Sequence, residues 1–122
     1  MGPVAKLNQL RTEWVVYAVF CAVAELTFGY YTVFDAVLRV AVTAAVAWYL
    51  IRELQQKSSL VWAFGVVGGV TGALGSAIAV LLALRHGDLD PRSLLDVASA
   101  LIHVRMFRVL RDREVKQHVM SD

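Results

Sequence analysis

LVWAFGVVGGVTGALGSAIAVLLAL, residues Leu60 to Leu84, runs for twenty-five residues without a charged side chain. At about 100° per residue, Gly65, Gly68, Gly69, Gly72, Gly75, Ser76, Ala79 and Ala83 gather within roughly a third of a helical turn. Val66, Val67, Val70, Leu74, Ile78, Leu81 and Leu82 take the opposite side. In water such a helix is poor, because each interior glycine costs about 1 kcal/mol relative to alanine. In lipid the backbone has no other hydrogen-bond partner and must coil. A face of small residues then lets a neighbouring helix approach closely. The segment reads as a membrane helix built to be packed against.

The rest of the chain agrees. Apolar residues make up 58% of the 122 positions and charged residues only 18%, against about 25% charged in an average soluble domain. Two further apolar stretches cover Trp14 to Phe34 and Val33 to Ile51. A spanning helix needs about 20 mostly apolar residues, so the chain holds three or four spans and no separate soluble catalytic domain. Lys6, Arg11 and the small residues Ala22, Val23 and Ala24 imitate a signal peptide, but Glu13 interrupts the pattern. An uncleaved first helix is expected. The single cysteine, Cys21, reads as a small buried filler.

The expected organisation is one transmembrane domain over 1–122, with spans at 12–28, 31–52, 60–84 and 91–110 and a basic tail at 111–122. Gly29 breaks the first run, and Tyr30 and Tyr31 suit the headgroup level, as do Trp48 and Tyr49 at the other interface. Glu53 to Ser59 is a polar turn and Arg85 to Leu89 a loop. Asp90-Pro91 is a helix start, with aspartate as N-cap and proline at the first helical position. That fourth helix is expected to continue to about Lys116.

Basic residues set the topology. With four spans, Lys6, Arg11, Arg52, Lys57 and the five basic residues from Arg105 to Lys116 fall on one side, leaving Arg85 and Arg92 opposite. This is a positive-inside pattern with both termini cytoplasmic. Three spans plus a surface-lying amphipathic fourth helix is the alternative, and it separates those charges. The expected fold class is therefore all-α, an integral membrane four-helix bundle. Directly after a membrane segment, the basic tail reads as a contact for anionic lipid headgroups rather than for nucleic acid.

Ionisable groups at membrane depth are costly and often functional. Glu25, Asp35, Arg39, Arg92 and Asp96 are all expected at the non-cytoplasmic end, with His103 deeper on a face shared with Asp96 and Ser99. One reading is a buried ion-pair network around Arg39. The other is a proton- or cation-handling site with Glu25 as the titrating group. A lone histidine such as His103 reads as a hydrogen-bonded packing residue, with a haem or chlorophyll ligand as the sharper option. The three histidines have no zinc spacing with one another or with Cys21. No phosphate loop, nucleophile elbow or zinc-protease motif is present. Neither a catalytic residue, a metal site nor a cofactor is expected.

Gly29-Tyr30-Tyr31-Thr32, with Val33, Leu38-Arg39 and the apolar run through Ala47 and Tyr49, resembles the Gly-Tyr-Tyr-x-x-Leu-Arg start of the second span in a family of small bacterial membrane proteins of unknown function. Leu94 to Ile102 is similar to that family's last span, and Trp62 to the tryptophan opening its third. Phe34 to Val37 stands as an insertion before Leu38-Arg39. The resemblance implies four spans in a bacterial inner membrane, draws attention to Arg39 and Asp96, and implies no activity. Ala24-Glu25 and the glycine-rich third helix are also similar to the small multidrug resistance transporters, which work as dimers.

Two functions follow as expectations. The first is a non-enzymatic protein acting by helix packing and assembly, as a homo-oligomer, a pore or holin-like element, or an accessory subunit of a membrane partner. The second is a small proton-coupled transporter using Glu25.

Overall fold

The computed structural model describes residues 2–29, 32–87 and 90–120. These form five helices and, among the described residues, no strand: α1 (Pro3–Thr27), α2 (Val33–Gln55), α3 (Ser59–His86), α4 (Pro91–Leu110) and α5 (Arg113–Met120). The all-helical fold class is therefore correct. Two helices, α2 and α3, are long and apolar enough to cross a membrane. The interface positions expected for Tyr30 and Tyr31 lie outside the described residues.

Local chemistry sets most helix ends. Pro3 starts α1, where its missing N–H is no loss. Thr32 caps α2 by accepting from the Asp35 backbone N–H, while its own hydroxyl donates to the Asp35 carboxylate at 2.8 Å. Ser58 caps α3, and Asp90 caps α4 in a capping box closed by Ser93. Gly87 ends α3 in the left-handed region at φ +70°, which glycine enters without steric cost. Arg85 and His86 thus belong to the last turn of α3 rather than to a loop.

The single helix expected from Pro91 to about Lys116 is in fact two. It stops at Leu110, and the chain turns at Arg111 and Asp112 before α5 begins. Asp112 explains the break. Its carboxylate accepts from the backbone N–H groups of Glu114 and Val115, capping a new helix. It also receives the Lys6 ammonium at 3.1 Å, which ties the turn to the start of α1. Much of the stretch expected as a tail is a packed element, with Val115 and Val119 buried one helical turn apart.

Helix α1 packs along α2, and α3 along α4; α1 and α4 join the two hairpins, while α2 and α3 barely meet. The apolar core lies at one end. Leu7 and Leu10 of α1, Ile51 and Leu54 of α2, Val109 and Leu110 of α4, and Val115 and Val119 of α5 form it, with Val61, Trp62 and Val66 of α3 packed alongside. The Trp62 indole donates to the Leu110 carbonyl at 2.7 Å, satisfying an acceptor in the last turn of α4. Asn8 and Gln55 join α1 to α2 at 2.7 Å, and Arg105 of α4 reaches Glu13 of α1 at 3.1 Å.

The Lys6–Asp112 pair gives α5 a pH dependence. Hydrogen bonding to Lys6 holds the Asp112 carboxyl below its ordinary 3.8. Hydrogen bonding to Asp112 holds the Lys6 ammonium above its ordinary 10.5. A lowered carboxyl value stabilises the fold above 3.8, and that contribution is lost as pH falls through the lowered value; the Lys6 contribution is present below 10.5 and lost as pH rises through the raised one. Hydrogen-exchange protection factors for the α5 amides should therefore drop on acidification through the Asp112 titration. In Asp112→Asn they should start lower and lose this dependence; an unchanged profile would separate the pair from α5 docking.

Candidate functional site

The small-residue face of α3 decides how the second hairpin closes. A Cβ built at Gly72 would run into the His103 ring. At Gly69 it would lie 3.2 Å from the His103 carbonyl oxygen and from the Phe107 Cβ, and at Gly65 it would lie 2.6 Å from the Leu110 Cδ1. The Ser76 hydroxyl donates to the Ser99 hydroxyl at 2.7 Å. Gly65, Gly69, Gly72 and Ser76 thus form the seam with α4, at the close spacing that small residues permit. Gly68 and Gly75 do not take part, since nothing lies within 4 Å of a Cβ at either. Ala79 is partly buried further along the helix.

His103 sits in this seam as a packing residue. Its Nδ1 lies 2.7 Å from the Ser99 carbonyl, an acceptor only, so Nδ1 carries the proton. Its ring meets Trp14 of α1 edge-on at 5.1 Å. The described residues hold no group of three or more potential metal-ligating side chains.

Of the expected polar cluster, the structure brings Glu25 and Arg39 together. The Arg39 guanidinium donates to Oε1 of Glu25; the arginine is half-exposed and the glutamate is 6% exposed. The second carboxylate oxygen, Oε2, is buried without a hydrogen-bond partner among the described residues. The other members stay apart from this pair. Asp35 is taken up by the α2 cap, while Arg92 and Asp96 occupy the first turns of α4 and neither ion-pairs with Glu25 or Arg39. Tyr17, Cys21 and Glu25 follow one another at four-residue spacing along one face of α1. A polar track therefore descends the interior from Glu25 through Cys21 and Tyr17 to Ser99, Ser76 and His103. It stops at Trp14, above the apolar core.

A second interior feature has no counterpart in the sequence pattern. Where α2 and α3 diverge they leave a groove of about 320 Å³, floored by Leu10 and Trp14 of α1 and by Met106 and Leu110 of α4. Its walls are Val42, Thr43, Val46, Ala47, Leu50, Ile51 and Leu54 of α2 and Val61 and Gly65 of α3. Periodicity reports one helix at a time and cannot reveal a space shared by four.

No protein family, curated protein or solved structure matches this chain.

The seam geometry makes one pair of substitutions informative. Gly72→Ala should destabilise the bundle by displacing the His103 ring, whereas Gly68→Ala, in open space, should be neutral or stabilising by up to about 1 kcal/mol. Adding His103→Ala to Gly72→Ala should recover part of the loss, so the pair should be non-additive in thermal melts. Strict additivity would contradict the contact.

Proposed function

We propose that the chain is an integral membrane four-helix bundle of the bacterial inner membrane, with α1 to α4 crossing the bilayer and both termini cytoplasmic. It is not an enzyme. It works by helix packing and assembly, joining copies of itself or a membrane partner as a pore-forming or accessory subunit.

The apolar surface supports the membrane reading. Phe34, Val37, Leu38, Val42 and Val46 of α2 are exposed, as are Leu60, Phe64, Val67, Leu74, Ile78 and Leu81 of α3. Soluble monomers rarely expose contiguous apolar patches beyond a few hundred Å². Nine basic residues gather at the end that holds the termini of α1, α4 and α5, with Arg85 and Arg92 at the other. Within that reading α1 and α4 are the inner pair, whose charges meet partners in the bundle or lie near its ends.

One observation carries assembly: the small-residue face of α3 is only partly used. Gly65, Gly69, Gly72 and Ser76 close on α4, while Gly68 and Gly75 open to nothing and Thr71 between them is exposed. A second helix can approach there. Gly75 is exposed and a Cβ there meets nothing within 4 Å, so Gly75→Leu should leave the melting behaviour intact while abolishing crosslinked oligomers in mild detergent. Oligomers that persist in Gly75→Leu and in Gly68→Leu would count against assembly through this face.

A second reading, a proton-coupled transporter, is favoured by the buried and unpartnered Oε2 of Glu25. An amide retains a carbonyl oxygen for Arg39 but cannot exchange a carboxyl proton. Glu25→Gln should abolish proton-coupled flux in liposomes if this reading holds; unchanged flux would remove it.

A further inference from the structure

We propose that the groove between α2 and α3 holds one acyl chain of an anionic phospholipid from the leaflet on the basic side of the bundle. The inference rests on the membrane reading above. The groove is lined almost wholly by apolar side chains, with Thr43 the one hydroxyl-bearing residue among them, and it lies between the two most apolar helices. From Val42 to Leu54 it follows α2 over thirteen residues, roughly 18 Å end to end at 1.5 Å per step. That is close to half of a hydrocarbon core about 30 Å thick, the depth of one leaflet. Its volume of about 320 Å³ suits a slender occupant.

Charge selects the headgroup. The groove ends at the turn between α2 and α3, where Arg52 and Lys57 are exposed, and the Lys116 ammonium stands 5.8 Å from the Trp62 ring at the start of α3. Four acidic residues share this end among the described residues. Glu13 is paired with Arg105, and Asp112 and Glu114 with Lys6. Glu53 is left against Arg11, Arg52, Lys57, Arg108, Arg111, Arg113 and Lys116. A phosphate-bearing headgroup with net negative charge complements that surplus.

The test uses the full chain in mild detergent, by native mass spectrometry with equal amounts of phosphatidylglycerol and phosphatidylcholine of matched chains. Wild type should retain one phosphatidylglycerol, favoured roughly tenfold or more over phosphatidylcholine if two basic residues contribute. Val46→Trp, at an exposed wall position, should lose that adduct with helicity unchanged, and Val42→Trp should repeat the loss one turn away. Arg52→Gln with Lys57→Gln should bring the two lipids close to parity. Retention of the adduct in both tryptophan variants, absence of headgroup preference, or a wild-type dimer that Val46→Trp breaks without lipid present would each overturn the proposal. Alkaline carbonate extraction separates the two layers of the argument. Wild type released without detergent contradicts the membrane reading, whereas wild type retained in the bilayer but free of lipid adducts contradicts the groove alone.

Discussion

Five helices converge on one apolar knot, and the remaining architecture follows from its lying at one end. Leu7 and Leu10, Ile51 and Leu54, Val109 and Leu110, and Val115 and Val119 are all but fully buried. Truncating such a leucine to alanine typically costs about 2–5 kcal/mol, so the set outweighs any surface ion pair nearby. A knot at one end leaves the two hairpins free to diverge toward the other. The polar track lies beyond the knot, above Trp14, while the groove between α2 and α3 runs into the knot itself, whose Leu10, Ile51, Leu54 and Leu110 form part of its lining. α5 completes the knot, which is why its entry turn is anchored by Asp112 and Lys6.

Away from the knot, closeness replaces bulk. The seam of α3 and α4 is held by the absence of side chains at Gly65, Gly69 and Gly72, by the Ser76–Ser99 hydrogen bond, and by His103 filling the space the glycines leave. Between α1 and α2, Ala18, Ala22, Ala36 and Ala47 are buried while larger residues point outward. This arrangement resembles a water-soluble core turned inside out. The buried Glu25 carboxylate, held on one side by Arg39, is the exception, and removing one member of such a pair costs more than forming it gains.

Helix identity was legible because it depends on neighbours in sequence: the Asp90-Pro91 start and the small face of α3 are local signals, whereas the caps at Thr32 and Ser58 and the stop at Gly87 emerged only with the structure. The Glu25–Arg39 contact was legible as one option among several, since both residues sit near the same end of a hairpin. What escaped reading depends on residues far apart in sequence. Asp112 looks like one more charge in a basic stretch until Lys6 is beside it, and only then does it mark a helix break. Asp96 and Arg92 share an end with Glu25, yet nothing in their spacing says that α4 keeps them apart from it. Likewise, Gly68 and Gly72 are equivalent on a helical wheel. Only the position of α4 assigns one to the seam and leaves the other open.

The central claim is that α1 to α4 cross a bilayer with the knot on its cytoplasmic side. Single cysteines in a Cys21→Ala background, reacted with a membrane-impermeant maleimide in sealed vesicles of known orientation, address it directly. Gln56→Cys and Met120→Cys should react only from the cytoplasmic side, and Phe28→Cys and His86→Cys only from the opposite one. Reaction of all four from a single side would contradict the account.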